Sequence, residues 1–87
     1  MSLPKNLEYI GTLAFSNVRA SSIRIPASVK YIGGSAMPYD LTTIVFENPN
    51  GWYYSNSNDP EGLNKNPIDL SSTNAKQFNR AYYYFHD

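Results

Sequence analysis

The chain has 87 residues, no cysteine, and seven basic against seven acidic side chains. That length is one small domain with a limited core. Disulfides and thiolate metal sites are excluded, the balanced charge presents no basic patch for nucleic acid or an anionic membrane, and no apolar run approaches the roughly 18 residues that cross a bilayer. Tyrosine is the outlier, with eight copies. Its ring gives rigid contact area with a polar tip, which suits strand surfaces and interfaces. Met1-Ser2-Leu3 does not read like an export signal, and none is expected in this stretch.

The first half is written twice. Leu3-Pro4, Leu7, Tyr9-Ile10-Gly11, Ala14-Phe15 and Ile23 return as Ile25-Pro26, Val29, Tyr31-Ile32-Gly33, Ala36-Met37 and Ile44. The offset is 22 at 3 against 25, 9 against 31, 11 against 33 and 14 against 36; it falls to 21 at Ile23 against Ile44 and Ile25 against Phe46. One residue is therefore lost between Met37 and Leu41. A period in the low twenties marks stacked repeats, which build extended surfaces far more often than active sites.

In chain order, Leu7 to Ile10 and Val29 to Ile32 predict short strands. Gly11 and Gly33 mark sharp turns, where positive φ or close backbone approach is expected. Thr12 to Phe15 and Ser35 to Met37 each suit a single turn. Ser22-Ile23-Arg24-Ile25 and Thr43-Ile44-Val45-Phe46 place apolar residues two apart, the spacing of one strand face, and Pro26 ends the first of them. The pattern predicts a coil in which Ile23, Ile25, Ile44 and Phe46 face Leu7, Ile10, Val29 and Ile32, with Ala14, Phe15, Ala36 and Met37 filling the turn. Ile23, Ile25, Ile32, Ile44 and Phe46 are expected to be almost fully buried. Two coils are fewer than the three or so such stacks need. The expectation is that the native protein continues N-terminally, and that the coil carrying Leu3 and Leu7 exposes apolar surface and strand edge that favour self-association.

After residue 49 the composition changes. Asn48-Pro49-Asn50-Gly51 is a turn cluster, Trp52-Tyr53-Tyr54 reads as a strand, Asn56 to Pro67 as a polar loop, and Pro67 to Leu70 as a returning strand. Ser71 to Tyr82 is the best helix candidate, with Ala75, Phe78, Tyr82 and Phe85 three or four apart. The run Tyr82 to Phe85 is equally compatible with an aromatic strand.

Ile25-Pro26-Ala27-Ser28-Val29-Lys30-Tyr31-Ile32-Gly33-Gly34-Ser35-Ala36-Met37, followed by Leu41-Thr42-Thr43-Ile44, resembles the BspA-type leucine-rich repeat. The first copy, Leu3 to Ile25, matches less fully: Ala20 stands at a leucine position, and Val18 is nearest to the cysteine usual after Ala-Phe. The resemblance implies a fold that is mostly β with a short helix: residues 3–49 as two repeats of a leucine-rich-repeat solenoid, and residues 50–87 as a C-terminal capping hairpin and helix. It also implies a bacterial cell-surface or secreted protein, in a family linked to adhesion and to binding host extracellular-matrix or microbial surface proteins. The family's repeats supply no catalytic residues.

The residues themselves point the same way. His86, the sole histidine, has no nucleophile or carboxylate at a useful spacing and reads as a solvated tail residue. Asn56, Asn58, Asp59 and Glu61 form an oxygen-rich loop without the calcium-loop pattern, Gly33-Gly34 lacks the lysine of a phosphate loop, and Asp69 suits a cap. No cofactor or metal is expected. The candidate binding residues are Arg24, Thr43, Val45 and Glu47, which with Ser22 alternate with the inward set on one sheet face, and Trp52 and Tyr54 in the aromatic segment. For Trp52 the competing reading is that it covers the repeats as core. The function expected is a non-catalytic protein-binding or adhesion module, with no membrane insertion. The alternatives are a purely structural stalk or cap, and a substrate-targeting module attached to a surface hydrolase.

Overall fold

The computed structural model describes residues 3–71, 78 and 81–87. The strands among them are β1 (Tyr9–Ile10), β2 (Ser22–Ile25), β3 (Tyr31–Ile32), β4 (Thr43–Phe46), β5 (Trp52–Ser55), β6 (Asn66–Ile68) and β7 (Tyr83–His86). β2 and β4 form a two-stranded sheet, and the other five form a mixed sheet in the order β1-β3-β7-β5-β6.

The repeat offset is the pairing register. β1 lies parallel to β3 with Tyr9 opposite Tyr31 and Ile10 opposite Ile32. β2 lies parallel to β4 with Ile23 opposite Ile44 and Ile25 opposite Phe46. The change from 22 to 21 is absorbed in the arc between the strands. That arc is also bonded copy to copy: Leu13 N donates to Gly34 O at 3.1 Å, Phe15 N to Ala36 O at 2.8 Å, and Thr42 N to Ser21 O at 2.9 Å. The Ser28 hydroxyl reaches the carbonyls of Lys5 and Leu7 at 2.8 and 2.7 Å.

The architecture is not the two-coil leucine-rich-repeat solenoid with a cap that the sequence suggested. It is a small two-sheet β fold, because the C-terminal third enters the sheet instead of sitting on its end. β7 pairs antiparallel with β3, placing Phe85 opposite Tyr31 and Tyr84 opposite Ile32. On its other side β7 pairs antiparallel with β5 along all four residues. The expected hairpin does form, with Trp52 opposite Ile68 and Tyr54 opposite Asn66. Pro67 is tolerated in β6 because that strand lies at the sheet edge, where a missing N–H breaks no ladder. No helix occurs among the described residues; of the expected helix over 71–82, residues 72–77 and 79–80 lie outside them. The tyrosine-rich tail takes the strand alternative, as β7.

Both halves share one core. Ile10, Ile23, Ile25, Val29, Ile32, Met37, Leu41 and Phe46 from the repeats are buried with Trp52, Leu70, Phe78 and Tyr84 from the second half. Phe46 meets Trp52 edge-on at 5.1 Å and Phe78 at 5.6 Å. Ile44 is an exception to the expected inward set and is only half-buried. Leu3 and Leu7 are also half-buried, packed against this core.

The backbone stress falls two residues after the repeated glycines. Gly33 needs its missing side chain for close approach: a Cβ there would meet Thr12 N and come within 2.8 Å of Gly11 C. Neither Gly11 nor Gly33 has positive φ; Leu13 (62°) and Ser35 (53°) do, at equivalent positions of the two copies. Two substitutions should therefore differ in their effect on stability. Gly33→Ala forces backbone apart and should cost about 1–3 kcal/mol. Leu13 is exposed, so Leu13→Gly loses little packing; it relieves about 1–2 kcal/mol of left-handed strain against about 0.5–1 kcal/mol of added chain entropy. Urea unfolding should show Gly33→Ala below the wild type and Leu13→Gly level with it or above.

Candidate functional site

The outward residues of β2 and β4 form one surface, as alternation requires. Ser22 stands opposite Thr43 and Arg24 opposite Val45, and Val45 is 44% exposed. The two charges on this face are directed at each other. Arg24 Nε donates to Glu47 Oε2 at 2.9 Å, and Glu47 Oε1 accepts from Ala27 N at 3.3 Å. These bonds, the Arg24 side chain first and the Ala27 amide second, hold the Glu47 carboxyl below the usual glutamate range. The pair bridges the two copies, since Glu47 N also donates to Ile25 O at 3.0 Å. Being largely solvated, it sets register more than stability.

The five-stranded sheet carries a second surface. Its outer face has one residue per strand in a continuous cross-strand row: Tyr9, Tyr31, Phe85, Tyr53 and Pro67. Tyr9 and Tyr31 stack at 4.5 Å with a 16° interplanar angle, Phe85 meets Tyr31 edge-on at 5.4 Å, and Tyr83 lies 6.2 Å from Tyr31. The phenol of Tyr31 is pushed above its ordinary value by burial and then by the neighbouring Tyr9 and Tyr83 phenols. One end of the row is covered. Gly62, at φ +69°, lies so close to the Phe85 ring that a Cβ would fall 2.8 Å from its Cζ, and Lys65 Nζ sits 5.0 Å above Tyr53 and 5.7 Å from the Phe85 ring centre. The other end is open, with Tyr9 66% exposed. Sequence reading did not single out this row. Its signal was present in Tyr9 and Tyr31, one repeat apart and each beside an inward isoleucine.

The remaining sequence candidates are placed as follows. Trp52 is an interior residue, 2% exposed, with its indole N–H given to Asn48 O at 2.8 Å; it offers no open platform. Tyr54 faces the core side, its ring 6.1 Å from Tyr82, so the outward tyrosine of β5 is Tyr53. Asp59 spends both carboxylate oxygens on its own loop, accepting from Leu63 N at 3.0 Å and Asn64 N at 2.9 Å. Asp69 accepts from Ser71 N at 2.9 Å, and bonds from Ser71 lower its carboxyl. His86 is not a solvated tail residue: it is buried between two carbonyls and the Trp52 ring. A shallow groove of about 370 Å³ lies between the 49–51 turn and residues 67–69. No helix among the described residues is long and apolar enough to cross a membrane.

No protein-family profile, curated protein or solved structure matches the chain. The Arg24–Glu47 bond has a direct readout. Carbon-detected carboxyl titration should place Glu47 below the ordinary 4.5, and Arg24→Ala should move it upward. A lowered carboxyl stabilises the fold above the unfolded value, and that contribution is lost as pH falls through the folded one. Thermal midpoints should therefore drop more steeply in acid for the wild type than for Arg24→Ala.

Proposed function

We propose that this chain is a non-catalytic protein-binding module of a bacterial cell-surface or secreted protein, acting in adhesion to host or microbial proteins. Two lines support the reading. The repeat sequence resembles BspA-type repeats, whose proteins are linked to adhesion. The observation that carries it is the open tyrosine end of the five-stranded sheet, where Tyr9, Tyr31 and Tyr83 cluster on the surface. Tyrosine is enriched at binding hot spots because it adds contact area with little side-chain entropy to lose. The β2·β4 face is the weaker contact surface, since its two charges already satisfy each other.

The test is surface-plasmon binding of the chain to immobilised extracellular-matrix proteins and to intact bacterial cells. Tyr9→Ser and Tyr31→Ser should each weaken binding about tenfold or more, as hot-spot truncations do. Exchanging Arg24 and Glu47 for opposite charges should mainly slow association and change its salt dependence. Binding untouched by all four substitutions would remove both surfaces as the docking site. No binding to either probe would leave the structural-stalk alternative.

A further inference from the structure

His86 sits where a neutral imidazole does not fit. Its Nδ1 lies 2.9 Å from Val29 O and its Nε2 lies 2.9 Å from Asn50 O. A backbone carbonyl oxygen only accepts, and a neutral imidazole carries one N–H. Either neutral tautomer would therefore leave a ring lone pair facing a carbonyl oxygen at hydrogen-bond distance. The imidazolium, with two N–H donors, satisfies both. The ring also stacks on Trp52 at 4.4 Å with a 7° interplanar angle, and an indole face stabilises a cation lying on it.

The surroundings add no competing carboxylate. Glu47, near the 26–30 turn, is bonded to Arg24 and Ala27. Asp87, next in the chain, is turned to Lys65 at 4.0 Å. Asp69, beyond β6, is bonded to Ser71. Lys30, on the turn that supplies Val29, is exposed, and Tyr53 and Tyr54 are the titratable groups of β5. Among the described residues no ion pair includes the ring.

The position makes the proton consequential. His86 N donates to Lys30 O at 2.9 Å, Asp87 N donates to Gly51 O at 3.0 Å, and Trp52 Nε1 holds Asn48 O. The end of β7 thus pins the 26–30 turn of the second repeat to the 48–51 turn that leads into β5. We propose that His86 is a proton-dependent clasp: as imidazolium it bridges the two turns, and on losing its Nε2 proton it releases the Asn50 carbonyl while keeping Val29. The Asn50 bond is the one released because it is part-buried whereas the Val29 bond is buried. The bridge exists only while both ring nitrogens carry a proton, because each faces an oxygen that can only accept.

His86 is the sole histidine, so its ring signals are unambiguous. Long-range proton–nitrogen spectra of the intact chain at about pH 5.5 should show both ring nitrogens protonated, with the ring against Trp52. Raising the pH to about 8 should shift the Asn50, Gly51 and Asp87 amides while Val29 and Lys30 stay in place. His86→Gln should show no such pH-dependent shift of these amides. A single ring N–H at pH 5.5 in the folded chain would overturn the proposal, as would an equal pH response in His86→Gln. If His86→Gln does not fold, the wild-type ring spectra decide the matter alone.

Discussion

The fold hangs on the antiparallel placement of β7 between β3 and β5. β3 belongs to the repeats and β5 to the hairpin, and among the described residues β7 is the only strand that touches both sides. Without it the five-stranded sheet divides into two separate pairs, and a lone pair of strands is marginal in water. The same insertion delivers Tyr84 into the core against Phe78, ring centres 4.6 Å apart, and Phe85 into the outer aromatic row. One strand thus supplies sheet continuity, interior volume and surface character, because successive side chains point to opposite faces.

Much of the first half was legible. The offset predicted which residues pair, and the alternation in Ile23-Arg24-Ile25 predicted which of them face inward. Both are local properties that a strand pattern encodes. The solenoid was not borne out, for a physical reason. A repeat specifies how one copy lies on the next, and it is silent about what occupies the free edge of the second copy. That edge is taken by Tyr83–His86, a pairing between residues far apart in the chain with no local signature. The spacing of Phe78, Tyr82 and Phe85 fits a helix face, while Tyr83, Tyr84 and Phe85 in succession fit a strand with both faces covered. Over Tyr83–His86 tertiary pairing chose the strand.

The candidate surfaces show the same division. Arg24, Thr43, Val45 and Glu47 emerged on one face because alternation alone places them there. Trp52 and Tyr54 turned inward because the sheet places their side of β5 on the core, a fact set by register with β7 and β6. His86 read as a tail residue since no neighbour in sequence explains it. Its partners are Val29, Asn50 and Trp52, all brought to it by the fold.

The sheet order also bears on how the chain acquires its shape. The strand that comes last in sequence among those described is the middle one in space. A growing chain can align the two repeats and close the β5–β6 hairpin early, since both are contacts of modest separation. It cannot join them until the residues of β7 are available to slide between. Such an ordering puts the longest loop closure at the end of the process, and it leaves the edges of β3 and β5 open to any other extended strand in the interval. The barrier to folding is then the late insertion of a single strand into a gap already shaped on both sides.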